Sequence, residues 1–293
     1  MKQKTAKGSM IAAMAVFGTI GAFKKWIPLT SGEIALYRAL LAAALISVVL
    51  LITKQKIHFR QIKKELPLLL ISGAAMGFNW ILLFEAFHYT TVSIATLSYY
   101  FAPVLVTVMT PILFKEKPGA KQVICSVMAT VGIVMITGIG NLGGRTSHLI
   151  GIAFGLSAAV LYASVVLINK FIQNVGGLHR TFLQFLAAIV VLIPYVLLTG
   201  TTKEPIGAGG LANMLVVGLV HTGIAYCLYF SALKELPGQQ VAILSYIDPL
   251  LAICVSAWVL KEAPLNTWQI VGGILILGFT LLNEIEIKKP IHK

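Results

Sequence analysis

Charge is what this chain has least of. Charged residues make up 11% of its 293 positions, with only ten acidic against 23 basic, whereas soluble domains carry roughly 25%. With a mean hydropathy of +0.89, so few charges cannot cover a soluble surface, and the chain reads as a polytopic membrane protein. Cysteine is also scarce. Cys125, Cys227 and Cys254 lie inside apolar runs, are odd in number and lack metal-ligand spacing, which argues against a disulfide framework or a zinc site. A Gly-rich phosphate loop, a His-x-x-x-His pair, paired catalytic carboxylates and a serine nucleophile elbow are absent as well. We therefore expect no enzyme, no metal and no cofactor. The net charge of +13 would suggest nucleic acid in a soluble chain. Here the basic residues sit in short loops between apolar runs, and no basic stripe interleaves with aromatics to bind a nucleic acid.

What the chain does have is apolar runs long enough to cross roughly 30 Å of hydrocarbon. They fall near residues 8 to 28, 33 to 53, 66 to 87, 92 to 114, 119 to 139, 149 to 171, 180 to 199, 209 to 232, 238 to 260 and 266 to 285. An all-α protein with ten transmembrane helices is expected, with short turn-forming joints such as Leu236-Pro237-Gly238 and no room for a soluble domain. Lys2, Lys4 and Lys7 before an apolar run imitate a secretory signal, but the run continues into Lys24-Lys25 and nine more segments, so it is read as an uncleaved first helix. With both termini inside, seventeen Lys and Arg face the cytoplasm and five face outward, Arg38 alone lying within a span. The segment from Lys54 to Lys64 is then cytoplasmic and that from Gly140 to His148 external.

The last third repeats the middle third at an offset of 146 residues: Phe84, Ala86, Tyr100, Pro103, Lys115, Glu116, Pro118 and Gly132 recur as Phe230, Ala232, Tyr246, Pro249, Lys261, Glu262, Pro264 and Gly278. The expected organisation is a first five-helix repeat at 1–139, a second at 149–285 and a cytoplasmic tail at 286–293. Because five is odd, the second copy enters the bilayer inverted, the arrangement that lets a carrier alternate between two faces.

Polar groups inside these spans point to a site. Ser93, Thr96, Tyr100, Pro103, Thr107 and Thr110 follow spacings of three and four, which puts them on one stripe of the fourth helix. Such a stripe either lines a cavity or bonds back to its own helix and glues neighbours together. Pro103 and Pro249 each remove a helical donor, freeing the carbonyls of Tyr99 and Ser245, and are candidate hinges. Arg38, Glu85, Asp248 and, less clearly, His221 are ionisable groups in spans, where an unpaired charge costs at least about 2.5 kcal/mol. They form either a substrate or proton site or a structural ion pair with Arg38. Gly73-x-x-x-Gly77 and Gly151-x-x-x-Gly155 allow close helix contact.

Two halves that each close with a proline, an apolar run and Lys-Glu-x-Pro resemble the EamA-domain branch of the drug/metabolite transporter superfamily. The runs Ala86 to Glu116, with Tyr99-Tyr100-Phe101-Ala102-Pro103, and Ala232 to Glu262, with Ser245-Tyr246-Ile247-Asp248-Pro249, carry the resemblance, and Leu36-Tyr37-Arg38-Ala39 looks like the family's second-helix arginine motif. The resemblance implies a secondary transporter of the cytoplasmic membrane for small metabolites such as amino acids or amines, often moved outward. Glu85 departs from the family pattern, where an aromatic commonly stands before the alanine. The expected site lies near the midplane. Tyr100 and Tyr246 supply ring faces, Glu85 and Asp248 negative charge, and Arg38 a carboxylate contact or the counter-ion, with Trp80, Thr96 and Tyr99 beside them. Expected partners are a small-molecule substrate, protons and membrane lipid. The alternative is a non-transporting sensor or partner subunit on the same fold.

Overall fold

The computed structural model describes residues 2–55, 62–115, 119–137, 146–202, 205–233, 235–236 and 238–285. Outside them fall Lys56 to Gln61 of the basic segment, Glu116 and Pro118 of the repeat, most of the crossover between the halves and the tail 286–293. Among the described residues every regular element is helical. In chain order they are α1 Lys2–Lys25, α2 Ser31–Ile52, α3 Leu66–Tyr89, α4 Val92–Tyr99, α5 Ala102–Phe114, α6 Ala120–Thr137, α7 Thr146–Phe171 and α8 Gly177–Thr199. There follow α9 Gly207–Leu215, a π-helical stretch Val216–Ile224, α10 Ala225–Leu233, α11 Gly238–Ser245, α12 Ile247–Cys254, a π turn Val255–Val259 and α13 Thr267–Glu284.

Among the described residues seven helical stretches are long and apolar enough to cross a membrane, and three shorter apolar helices, Ala120–Ile136, Ile243–Val259 and Thr267–Asn283, accompany them. Their starts are set by local chemistry. Thr30 and Glu33 form a reciprocal capping box at α2, and Asn266 and Gln269 form another at α13, each satisfying orphan N–H groups of the first turn. Thr91 caps α4 through Ile94 N–H at 3.3 Å. Helix α1 begins at Lys2, six positions before the start expected from hydropathy, because its basic first turns are helical although they are not apolar.

Packings between elements come in matched pairs under the 146-residue shift. Helix α3 packs on α7 and, correspondingly, α1 packs on the rod formed by α9, the π stretch and α10. Helix α7 packs on α4 and α5, as α1 does on α11 and α12, while α6 meets α13 and α2 meets α8. Small residues bring these backbones together. A Cβ on Gly18 would stand 2.6 Å from the Asp248 carbonyl oxygen, and one on Gly132 2.6 Å from that of Gly272. Backbone geometry repeats too. Lys115 and its counterpart Lys261 both adopt left-handed φ, at 55° and 51°. Large apolar side chains such as Leu198, Trp258 and Leu51 are exposed, as expected of faces that meet lipid.

Candidate functional site

Two apolar helices are interrupted at positions 146 residues apart. Helix α4 ends at Tyr99, and α5 starts at Ala102 with Pro103 in its first turn; α11 ends at Ser245, and α12 starts at Ile247 with Pro249 in its first turn. The cause is local: each proline lacks the N–H that would bond the carbonyl four residues earlier, and its ring crowds that carbonyl. The prolines thus open each new segment, where a missing N–H is tolerated, and the breaks fall at Tyr100–Phe101 and at Tyr246.

The breaks bring matched tyrosines side by side, their rings tilted at 52°. The Tyr100 and Tyr246 rings lie 6.3 Å apart, and Tyr100 OH donates to Asp248 Oδ2 at 2.8 Å, with the Ser245 carbonyl at 3.4 Å. Tyr246 OH donates to Thr280 Oγ1 at 2.7 Å. Asp248 stands in the first turn of α12, where the N-terminal dipole favours a carboxylate. Tyr99, Tyr100, Tyr162 and Tyr226 all lie within electrostatic reach of it. Tyr162 packs on Tyr99 at 5.4 Å yet keeps 41% exposure. Tyrosine side chains thus cluster around Asp248.

Arg38 lies on another wall, only 4% exposed. Its Nε donates to Thr222 Oγ1 at 3.1 Å, and the guanidinium carbon lies 4.3 Å from the Trp80 ring centre and 5.3 Å from that of Phe84. Thr222 itself donates to the Val217 carbonyl at 2.8 Å, five residues back, so the π-helical stretch aims its oxygen at Arg38. The alternative of a structural Arg38–Glu85 ion pair is not realised. Glu85 lies instead in the field of Lys24, which is 2% exposed and meets His88 Nε2. His221 is held by Thr19 at 2.9 Å and by the Val216 carbonyl at 3.2 Å.

At the end of the bundle bearing Lys24, Glu262 gathers three elements. It bonds Lys25 of α1, the Val92 N–H of α4 at 2.8 Å and Ser256 Oγ. The polar stripe divides at the break. Ser93 and Thr96 are buried, whereas Thr107 takes a hydrogen bond from Asn283 of α13 at 3.0 Å and Thr110 one from Lys170 of α7 at 3.2 Å, so its lower part joins helices.

Matched helix breaks therefore bring a carboxylate and a cluster of tyrosines together between the two halves. A family model described as the EamA-like transporter family matches residues 7–138 and again 149–284. The chain belongs to that family. EamA-like proteins form part of the drug/metabolite transporter superfamily, and the chain is accordingly a multi-pass membrane transporter. It is 30% identical over 279 residues, 94% of this chain and 89% of the other, to a protein of Bacillus subtilis (strain 168) named "Uncharacterized transporter YxxF". It is 22% identical over 217 residues to Protein PecM of Dickeya dadantii (strain 3937), covering 73% of this chain and 72% of that one. A solved crystal structure superimposes with a TM-score of 0.65 at 15% identity, covering 95% of this chain and 96% of that one, a likeness of fold alone.

Within this EamA-like transporter, a groove of about 760 Å³ runs along α5 and α6 past Thr107, Pro111, Ser126 and Thr130. It touches none of the candidate substrate residues. Sequence reasoning had missed Tyr162, Tyr226 and the role of Glu262. Tyr226 was within reach, because it is the counterpart of Trp80 under the repeat.

Proposed function

We propose that this protein is a secondary transporter that carries a small metabolite with a protonated nitrogen across the cytoplasmic membrane by alternating access. Ten spans in two inverted five-helix halves, 1–139 and 149–285, form the machine, with both termini cytoplasmic. The odd helix count per half, the matched packings and the seventeen-to-five distribution of basic residues support that topology.

The observation that carries the reading is the pair of matched helix breaks, which sets Tyr100 of one half against Asp248 of the other. Discontinuous helices that meet at mid-depth create sites where backbone and side-chain dipoles converge on a substrate. A carboxylate among tyrosine rings suits a cation held by charge and by ring faces. Pro103 and Pro249 serve as the hinges. In the conformation described, Glu262 clasps α1 to α4 and closes the outer end, and opening requires that clasp to release. Protons reach the same site through Asp248, which carries either substrate or proton.

Sealed vesicles containing only this protein test the reading by counterflow of labelled primary amines and amino acids. Saturable flux above that of protein-free vesicles is expected. Absence of flux for every compound sinks the transport reading, and saturable binding without flux identifies a sensor instead.

A further inference from the structure

We propose that the groove between α5 and α6 is a binding site for one anionic phospholipid, with an acyl chain along its apolar wall and the phosphate at the end bearing Lys115 and Lys121. The inference goes beyond the transport reading and takes from it only that this end lies in the cytoplasmic leaflet, where anionic lipids concentrate.

The groove has the size and the direction of such a ligand. Its volume of about 760 Å³ falls within the roughly 300–1,000 Å³ of small-molecule sites. From Gln122 to Met135, both of which line it, α6 rises about 20 Å, enough to run from one surface past the middle of a hydrocarbon core about 30 Å thick. An acyl chain needs a continuous apolar wall of that length. Ile112, Val127 and Val131 supply it, and all three are exposed.

Polarity falls along the groove in the order of a phospholipid's own parts. Gln122, Ser126, Thr130 and Val134 all line it, and their spacing of four puts them on one face of α6. Gln122 Oε1 accepts the Gly119 N–H at 2.9 Å, which orients the amide and leaves its NH2 group without an acceptor among the described residues. The Ser126 hydroxyl makes no bond among them either. It stands one turn deeper, about 6 Å along the helix, where ester carbonyls follow the phosphate. Thr130 donates to the Ser126 carbonyl at 2.8 Å, so its hydroxyl is satisfied within the helix, and Val134 is apolar.

Charge complements the polar end. The joint after α5 carries Lys115, Lys117 and Lys121 against Glu116 alone. Lys115 is exposed and forms no ion pair among the described residues. Lys121 bonds the Asn283 carbonyl at 3.4 Å and the Ile285 carbonyl, which fixes its ammonium at the base of α6 and leaves a third N–H. Ammonium and amide donors together attract a phosphodiester, whereas the choline of a zwitterionic headgroup meets like charge.

The second half provides the control. Under the 146-residue shift Gln122, Ser126 and Thr130 become Trp268, Gly272 and Ile276, and Lys121 becomes Thr267. No such gradient exists on that face. Trp268 is 67% exposed, as suits an aromatic anchor at a membrane surface. The duplicated scaffold therefore does not require the polar face of α6.

The test is native mass spectrometry of the purified full chain with phosphatidylglycerol and phosphatidylcholine of identical acyl chains. The wild type should retain phosphatidylglycerol about fivefold or more over phosphatidylcholine, and Lys115→Gln combined with Gln122→Leu should cut that preference to about twofold or less. Val127→Trp, which fills the groove and leaves its polar end intact, should release both lipids. Phosphatidylglycerol with a photoreactive group on its acyl chain reports position in the wild type even if a variant fails to fold, and its adducts should fall on α5 and α6 between Val108 and Met135. Equal retention of the two lipids overturns the site, as do a preference unchanged by the double variant and adducts confined to other helices. A lipid-free dimer that Val127→Trp splits into monomers assigns the face to a second copy and overturns the site too. None of these readouts depends on transport, so the lipid site and the carrier reading fail separately.

Discussion

The two halves share a plan and differ in charge. At matched positions the first half has Arg38 and Ala102, and the second has Gln184 and Asp248. Elsewhere they agree closely, in the breaks after Tyr99 and Ser245, in the left-handed Lys115 and Lys261 and in the paired packings. Duplication thus accounts for the scaffold, and the charged residues that depart from it are the candidates for a site. Each half supplies one charge where the other has a neutral residue. Gln184, bonded to Ser72 and Asn169, shows what the position does when it serves packing alone.

The largest effect should come from making the halves alike at the carboxylate. Asp248→Asn keeps the shape and an acceptor for Tyr100 but removes the charge. A hydrogen bond to a charged group contributes about 1.5–3 kcal/mol, so transport of amines at low concentration should fall roughly ten- to a hundredfold in vesicle counterflow, with folding intact by size-exclusion profile. Transport within about twofold of wild type would remove Asp248 from the site. Next in size is the outer clasp. Glu262→Gln weakens one partly exposed pair, worth up to about 1 kcal/mol, and the contact to Val92. A cysteine placed at Tyr162 in a cysteine-free background should then react about fivefold faster with an impermeant thiol reagent added from outside. An unchanged rate would mean that Glu262 braces the bundle in every conformation.

The sequence disclosed these features unevenly, for physical reasons. The spans were legible because a bilayer demands long apolar runs, and the matched breaks because a proline removes a donor wherever it stands in a helix. Arg38 and Asp248 stood out because charge in a span is rare. The partners of those charges were not legible. A structural pair with Arg38 was one alternative for Glu85, yet α1 brings Lys24 into its field instead. The π-helical stretch that turns Thr222 toward Arg38 depends on a five-residue hydrogen-bond step with no sequence signature. Tyr162 has no aromatic counterpart in the first half, where Val16 stands, so the repeat could not reveal it.

Glu85 sharpens the contrast between a charge that holds the fold and a charge that meets a ligand. It occupies a half-buried position on α3, and its counterpart in the second half is the uncharged Ser231. By asymmetry alone it would belong with Arg38 and Asp248. Its surroundings say otherwise: Lys24, almost wholly buried, lies in its field and meets His88, so the carboxylate offsets a cation that the protein itself supplies. Glu85→Gln should therefore change amine affinity by no more than about twofold, the smallest functional effect of the three. It should instead lower the thermal stability of the purified protein, because Lys24, almost wholly buried, then loses the nearby carboxylate whose field offsets its charge. Adding Lys24→Gln should recover most of that loss, and the non-additivity of the double variant measures the coupling. Rescue by Arg38→Gln in place of Lys24→Gln would assign the carboxylate of Glu85 to Arg38 and overturn its pairing with Lys24.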